Sequence, residues 1–147
     1  MTRGSSDNAF TLVELMIVVA IIAIIMSVAI PSILNARKSA NEASAIATLK
    51  ALVTANEQYR TRYGTYVDPW ALQDQDFIEG FTPHGAFPGK NGYTFLSAFS
   101  GNGYTVWSLP QSVGQTGDRY FTTSNRGTIH WSSTAPANIN SDPVIGN

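Results

Sequence analysis

From Phe10 to Leu34 the chain is almost uninterruptedly apolar, broken only by Thr11, Glu14, Ser27, Pro31 and Ser32. As a helix this run would extend roughly 37 Å, enough to cross the hydrocarbon core of a bilayer. The pattern then changes period. Ile46, Leu49, Leu52, Val53, Tyr59 and Tyr63 recur at helical spacing in an Ala-rich stretch that lacks Gly and Pro, which predicts an amphipathic helix over residues 35–63. Gly64 is the expected stop, and Arg60 and Arg62 suit the negative end of the helix dipole. Pro31 has no N–H to give and clashes with the preceding turn, so a kink or local melting is expected between Val28 and Ile33 without ending the helix. One bent helix from Phe10 to Tyr63 would reach roughly 80 Å.

Beyond Gly64 the composition shifts to Gly, Pro, Ser, Thr, Asn and aromatics, with turn signals at Pro88-Gly89, Asn91-Gly92 and Asn102-Gly103. Residues 64–91 read as a connecting loop holding Asp68, Asp74, Asp76, Glu79 and His84, whose acids have the look of solvated side chains. Residues 92–132 read as an antiparallel meander of four strands, Gly92–Phe99, Gly103–Leu109, Arg119–Thr123 and Thr128–Ser132. Asn102-Gly103 is taken as a hairpin turn and Asn125-Arg126-Gly127 as the turn of the last pair. A tail, 133–147, follows. The expected fold is α+β, a long bent amino-terminal helix packed on a small antiparallel sheet.

Within the apolar run Glu14 stands out. A carboxylate in hydrocarbon costs about 2.5–3.5 kcal/mol on insertion scales, so it implies either a partner or a position from which it reaches water. Ahead of the run lies a short polar stretch, residues 1–9, with Arg3 as its one basic side chain; Arg37 and Lys38 flank the other side. These charges leave membrane orientation undecided. A cleaved secretory signal fits less well, because its apolar region is usually about 7–15 residues.

Ala9-Phe10-Thr11-Leu12-Val13-Glu14-Leu15, followed by the apolar run, resembles the cleavage and methylation motif of type IV pilins and the related type II secretion pseudopilins. Pro31 falls where that family commonly bends its helix. The resemblance implies a type IV pilin-like fold and a leader, residues 1–9, cut between Ala9 and Phe10 by a prepilin peptidase that then N-methylates Phe10. It further implies a transmembrane and filament-core segment over 10–34 and a globular pilin domain over 35–147. The family prefers Gly before the cut; this chain has Ala9. A freed Phe10 amine and Glu14 would then be two charges in an apolar setting. Glu14 of one subunit pairing with the Phe10 amine of a neighbour would neutralise both and select one register of assembly. The implied partners are copies of the same chain in a helical filament, the peptidase, an inner-membrane assembly platform, and the membrane before assembly. The implied location is the bacterial inner membrane as precursor, then the extracellular filament, or the periplasm for a pseudopilin.

Composition narrows the alternatives. The formal net charge is −1, and no basic cluster exceeds the pair Arg37-Lys38, so nucleic acid is not an expected partner. There is no cysteine, hence no disulfide or thiolate chemistry. His84 and His130 lack metal-site spacing, and Asp74 and Asp76 sit in no twelve-residue calcium loop. No nucleophile elbow or phosphate loop is present, so neither an enzyme nor a cofactor is expected. Tyr59, Tyr63 and Tyr66 read as core packing rather than a conduction path. The function read here is a pilus filament subunit. A type II secretion pseudopilin is the neighbouring alternative, and an uncleaved single-pass membrane protein with a binding domain is the alternative of a different class.

Overall fold

The computed structural model describes residues 10–80, 89–100, 102–134 and 136–145; Ala9, His84 and Pro88 lie outside them. The chain divides into two units between Asn35 and Ala36. In the first, helix α1 (Leu12–Tyr63) begins, and every large apolar side chain from Phe10 to Leu34 is exposed. The helix runs unbroken through Pro31, so the backbone does not melt there. The missing N–H leaves the Ser27 carbonyl without its i+4 donor. The Ser27 hydroxyl itself donates to the Ile24 carbonyl at 2.7 Å.

In the second unit the remainder of α1 packs on a sheet. Gly64 ends the helix as expected, at φ +78° with its N–H donating to the Arg60 carbonyl at 2.7 Å. The buried stripe is rotated from the one the apolar pattern suggests. It runs through Glu42, Ala45, Thr48, Leu49, Leu52, Ala55 and Asn56, whereas Ile46, Val53 and Tyr59 are half-buried and Tyr63 is exposed. Several residues on this face are small, and much of the volume of the core comes from the sheet's Tyr93, Phe95 and Phe121.

The connection after Gly64 is not a plain loop. Helix α2 (Pro69–Asp74) forms within it, capped by Asp68, whose carboxylate accepts the Ala71 N–H at 2.8 Å, with Pro69 in the first turn. An Asp before a Pro is the ordinary signature of such a start. Leu72 then plugs into the core, and Asn56 holds the connection by accepting the Val67 N–H at 3.1 Å.

The sheet is an antiparallel meander in the order β1-β2-β3-β4-β5: β1 (Gly89–Lys90), β2 (Tyr93–Ser100), β3 (Gly103–Pro110), β4 (Tyr120–Ser124) and β5 (Ile129–Ser132). Four strands match the expected ones to within a residue or so at each end. β1 is additional; it turns into β2 through Asn91 and Gly92, both at positive φ (49° and 75°), the primed hairpin geometry that Asn-Gly favours. Gly103 opens β3, paired with Ser100, where the expected strand Gly103–Leu109 begins. Asn125-Arg126-Gly127 turns the last pair, with the Gly127 N–H donating to the Ser124 carbonyl at 2.9 Å.

Alternation along the strands fixes which face meets the helix. Tyr93 and Phe95 of β2, Tyr104, Val106 and Ser108 of β3, Phe121 of β4 and Ile129 of β5 are buried against it. Leu96, Trp107 and Leu109 point to the other face and are half-buried. Residues 143–145 of the tail run along the far edge. The Trp131 N–H donates to the Pro143 carbonyl at 3.0 Å and the Ile145 N–H to the Ile129 carbonyl at 2.7 Å, placing Val144 antiparallel to β5. His130 fastens the same segment, its Nδ1 donating to the Asp142 carbonyl at 2.7 Å.

The phenols of Tyr93 and Tyr104 carry a pH signature. Burial, aided by nearby Glu42 for Tyr93 and Glu57 for Tyr104, pushes both far above the usual tyrosine value. An acid whose pKa is raised on folding stabilises the fold fully below its unfolded pKa and progressively less above it. Denaturant midpoints measured against pH should therefore be flat from neutrality to about pH 10 and fall beyond it, and Tyr93→Phe should shallow that fall.

Candidate assembly site at the helix start

Helix starts leave the first amides without carbonyl partners. Here Thr11 and Glu14 satisfy them reciprocally. The Thr11 hydroxyl accepts the Glu14 N–H at 3.2 Å, and Glu14 Oε2 accepts the Thr11 N–H at 2.9 Å and the Thr11 hydroxyl at 2.8 Å. This is a capping box, Thr-x-x-Glu, and it shows that Glu14 is not isolated even within one chain. Thr11 is not among the expected site residues, although the spacing that announces it is plain in Thr11-Leu12-Val13-Glu14.

The box uses one carboxylate oxygen. Glu14 Oε1 has no hydrogen-bond partner among the described residues, and it stands on a helix turn surrounded by exposed Leu12, Val13, Leu15 and Ile17. Phe10 is 80% exposed and immediately precedes the box. In the unprocessed chain its nitrogen is a peptide amide; only cleavage after Ala9 would turn it into a cation. The structure thus places Phe10 and Glu14 on the same exposed helix end. Pro31 lies well along the helix from them, and Ala9 is outside the described residues.

The flanking helix gives the site its surroundings. Its most apolar 18-residue window has a mean hydropathy of 2.9 and buries nothing within the chain, so the segment is long and apolar enough to cross a membrane. Such a surface is stable only against lipid or other apolar surfaces. A carboxylate with a free oxygen in that setting supplies an acceptor and a negative charge.

Residues 4–30 match the family described as the prokaryotic N-terminal methylation motif. The chain is 35% identical over 104 residues to the type IV wide pilus major component PilA4 of Thermus thermophilus, an alignment that covers 68% of this chain and 78% of that protein. It is 40% identical over 62 residues to the type IV major pilin protein PilA of Myxococcus xanthus, covering 42% of this chain and 28% of that one. The chain belongs to the type IV pilin family.

Proposed function

We propose that this chain is a structural subunit of a type IV pilus filament, assembled with copies of itself through its amino-terminal helix. The observation that carries the reading is the helix start: a carboxylate with one oxygen committed to its own cap and the other free among the described residues, at the head of an apolar surface that none of those residues covers. Residues 1–9 act as a leader that a prepilin peptidase removes between Ala9 and Phe10, after which Phe10 is N-methylated. Residues 10–34 hold the precursor in the inner membrane and later pack in the filament core; residues 35–147 form the folded part carried on the outside. Glu14 Oε1 accepts the Phe10 amine of a neighbouring subunit, so each subunit contributes one charge of either sign to an otherwise apolar core. Pro31 weakens the helix where it lacks a hydrogen bond and gives it room to bend on packing. An assembly platform in the inner membrane passes subunits from lipid to filament, and no catalysis by this chain is needed.

Kinship with two proteins named as pilus components favours a pilin over a secretion pseudopilin. Mass spectrometry of the native protein tests processing: the expected amino terminus is N-methylated Phe10, and an intact Met1 terminus would overturn the reading in favour of an uncleaved anchor. Deleting the chain should remove extracellular fibres seen by electron microscopy. Fibres that persist while protein secretion stops would mark a pseudopilin.

A further inference from the structure

The two ends of the folded unit are built differently. At one end the Asn91-Gly92 turn and the loop Gln111–Arg119 are fastened to residues 38–44 of α1. Lys38 Nζ lies 3.2 Å from Asp118 Oδ2, Asn41 Nδ2 donates to the Thr116 carbonyl at 2.9 Å, and Asn91 Nδ2 donates to the Ser44 hydroxyl at 2.7 Å. Glu42 takes the amides of Asp118 and Arg119 at 2.9 and 3.2 Å. The opposite end, with the turn Asn125–Gly127, lies beside Val53.

Residues 38–44 follow directly in sequence on the apolar run that ends at Leu34. The helical run Leu12–Leu34 would extend roughly 34 Å, against a hydrocarbon core of about 30 Å. Arg37, one turn further on, therefore falls at the level of lipid headgroups. The charges at this end suit that level. Its two carboxylates are matched, Asp118 by Lys38 and Glu42 by Arg119 at 2.7 Å. Arg37 is exposed and makes no ion pair among the described residues, so the end is left net positive. Of the loop's exposed side chains, Gln111, Val113 and Gln115 are uncharged and Asp118 is the one paired with Lys38; Val113 is 58% exposed on a loop pinned to the helix. The acids Asp74, Asp76 and Glu79 fall elsewhere in the sequence, at the end of α2 and just after it.

We propose that this end of the folded unit is a lipid-facing surface: in the membrane-held precursor it rests on the headgroup layer, with Arg37 pairing with lipid phosphate and Val113 entering the interface. It rests on the membrane-precursor part of the function proposed above and adds to it a seating for the folded unit. A basic side chain at an anionic surface contributes enough to change local occupancy about fivefold. An exposed valine on a rigid loop can enter the interface with little ordering cost of its own.

The absence of cysteine makes the test direct, since Val113→Cys or Ala20→Cys gives one labelling site in the full chain. Each variant is labelled with a polarity-sensitive fluorophore and reconstituted at high dilution into vesicles containing phosphatidylglycerol, with spin-labelled lipids as quenchers. The expected result is quenching at position 113 by a shallow spin label and at position 20 by a deep one, with Arg37→Gln lowering the shallow quenching at 113 about fivefold. A water-like probe at 113 beside a deeply quenched probe at 20 overturns the seating and leaves the membrane reading intact. Water-like probes at both positions overturn both. Quenching at 113 that Arg37→Gln does not change removes the phosphate pairing, and protection that appears only as protein density rises assigns the surface to a second copy instead.

Discussion

Glu14→Gln will abolish filaments as thoroughly as Glu14→Ala, lowering fibre yield by at least about tenfold from a subunit that is expressed and processed normally. The capping box is what makes this substitution informative. Glutamine is an accepted residue at the third helical position of such a box, so it keeps the reach back to the Thr11 N–H. It removes only the negative charge. If Glu14 serves solely to start the helix, Glu14→Gln assembles and Glu14→Ala is merely impaired. If its second oxygen neutralises a neighbour's Phe10 amine, both fail, because each leaves a cation buried in a core without a counter-charge. Thr11→Ala completes the series. It removes the hydroxyl that binds Glu14 but leaves the charge, so filaments should persist at reduced yield. Electron microscopy of sheared fibres, with immunoblots of whole cells to confirm subunit levels, reads all three.

The second large effect is expected at Glu42. Its carboxylate is 9% exposed and accepts from the amides of Asp118 and Arg119 and from Nε and Nη2 of the Arg119 guanidinium, the last two at 2.7 Å. Glu42→Ala leaves two partly buried amides without their acceptor, a loss of about 3 kcal/mol, while the 40% exposed guanidinium turns to water. For a unit of this size that corresponds to a fall in melting temperature of at least about 10 °C. Arg119→Ala should cost less, about 1–2 kcal/mol, because the carboxylate keeps both amides and Arg119 is itself 40% exposed. Part of that cost is packing, since the guanidinium also lies over the rings of Phe121 and Trp131 at 5.5 and 5.6 Å. Thermal melts of the full chain in detergent, followed by near-ultraviolet circular dichroism, separate the two. A Glu42→Ala shift no larger than that of Arg119→Ala would show that the amides, rather than the carboxylate, find water as a substitute.

The Glu42–Arg119 pair also marks where sequence reasoning stops. Its members stand 77 residues apart, and neither belongs to a recognisable pattern. The long helix, its stop at Gly64 and the meander follow from period and turn chemistry, which act over a few residues and are legible there. The rotation of the buried stripe is of another kind. Counting apolar side chains favours Ile46, Val53, Tyr59 and Tyr63, but a helix laid against a sheet carrying Tyr93, Phe95 and Phe121 needs small residues at the contact, and Ala45 and Ala55 meet that need. The strand β1 is two residues long and carries no alternation to detect. By contrast, Asp68-Pro69 and Thr11-x-x-Glu14 are local signals that were open to reading. Each is masked by its setting, one by the loop-like composition around it and the other by the apolar run in which the acid stands.

The tail segment 143–145 along β5 has a bearing on how such a protein survives before it is used. Subunits held at high density in one membrane plane meet edge-on far more often than molecules in solution. An open sheet edge would offer each neighbour a template for strand pairing, and the resulting chains of sheets would compete with the helix-driven assembly. By laying its own carboxyl-terminal residues on that edge, through the Pro143 carbonyl and the Ile145 N–H, the chain occupies the site that an off-pathway partner would take. Crowding then leaves the exposed apolar side chains of residues 10–34 as a surface for contact.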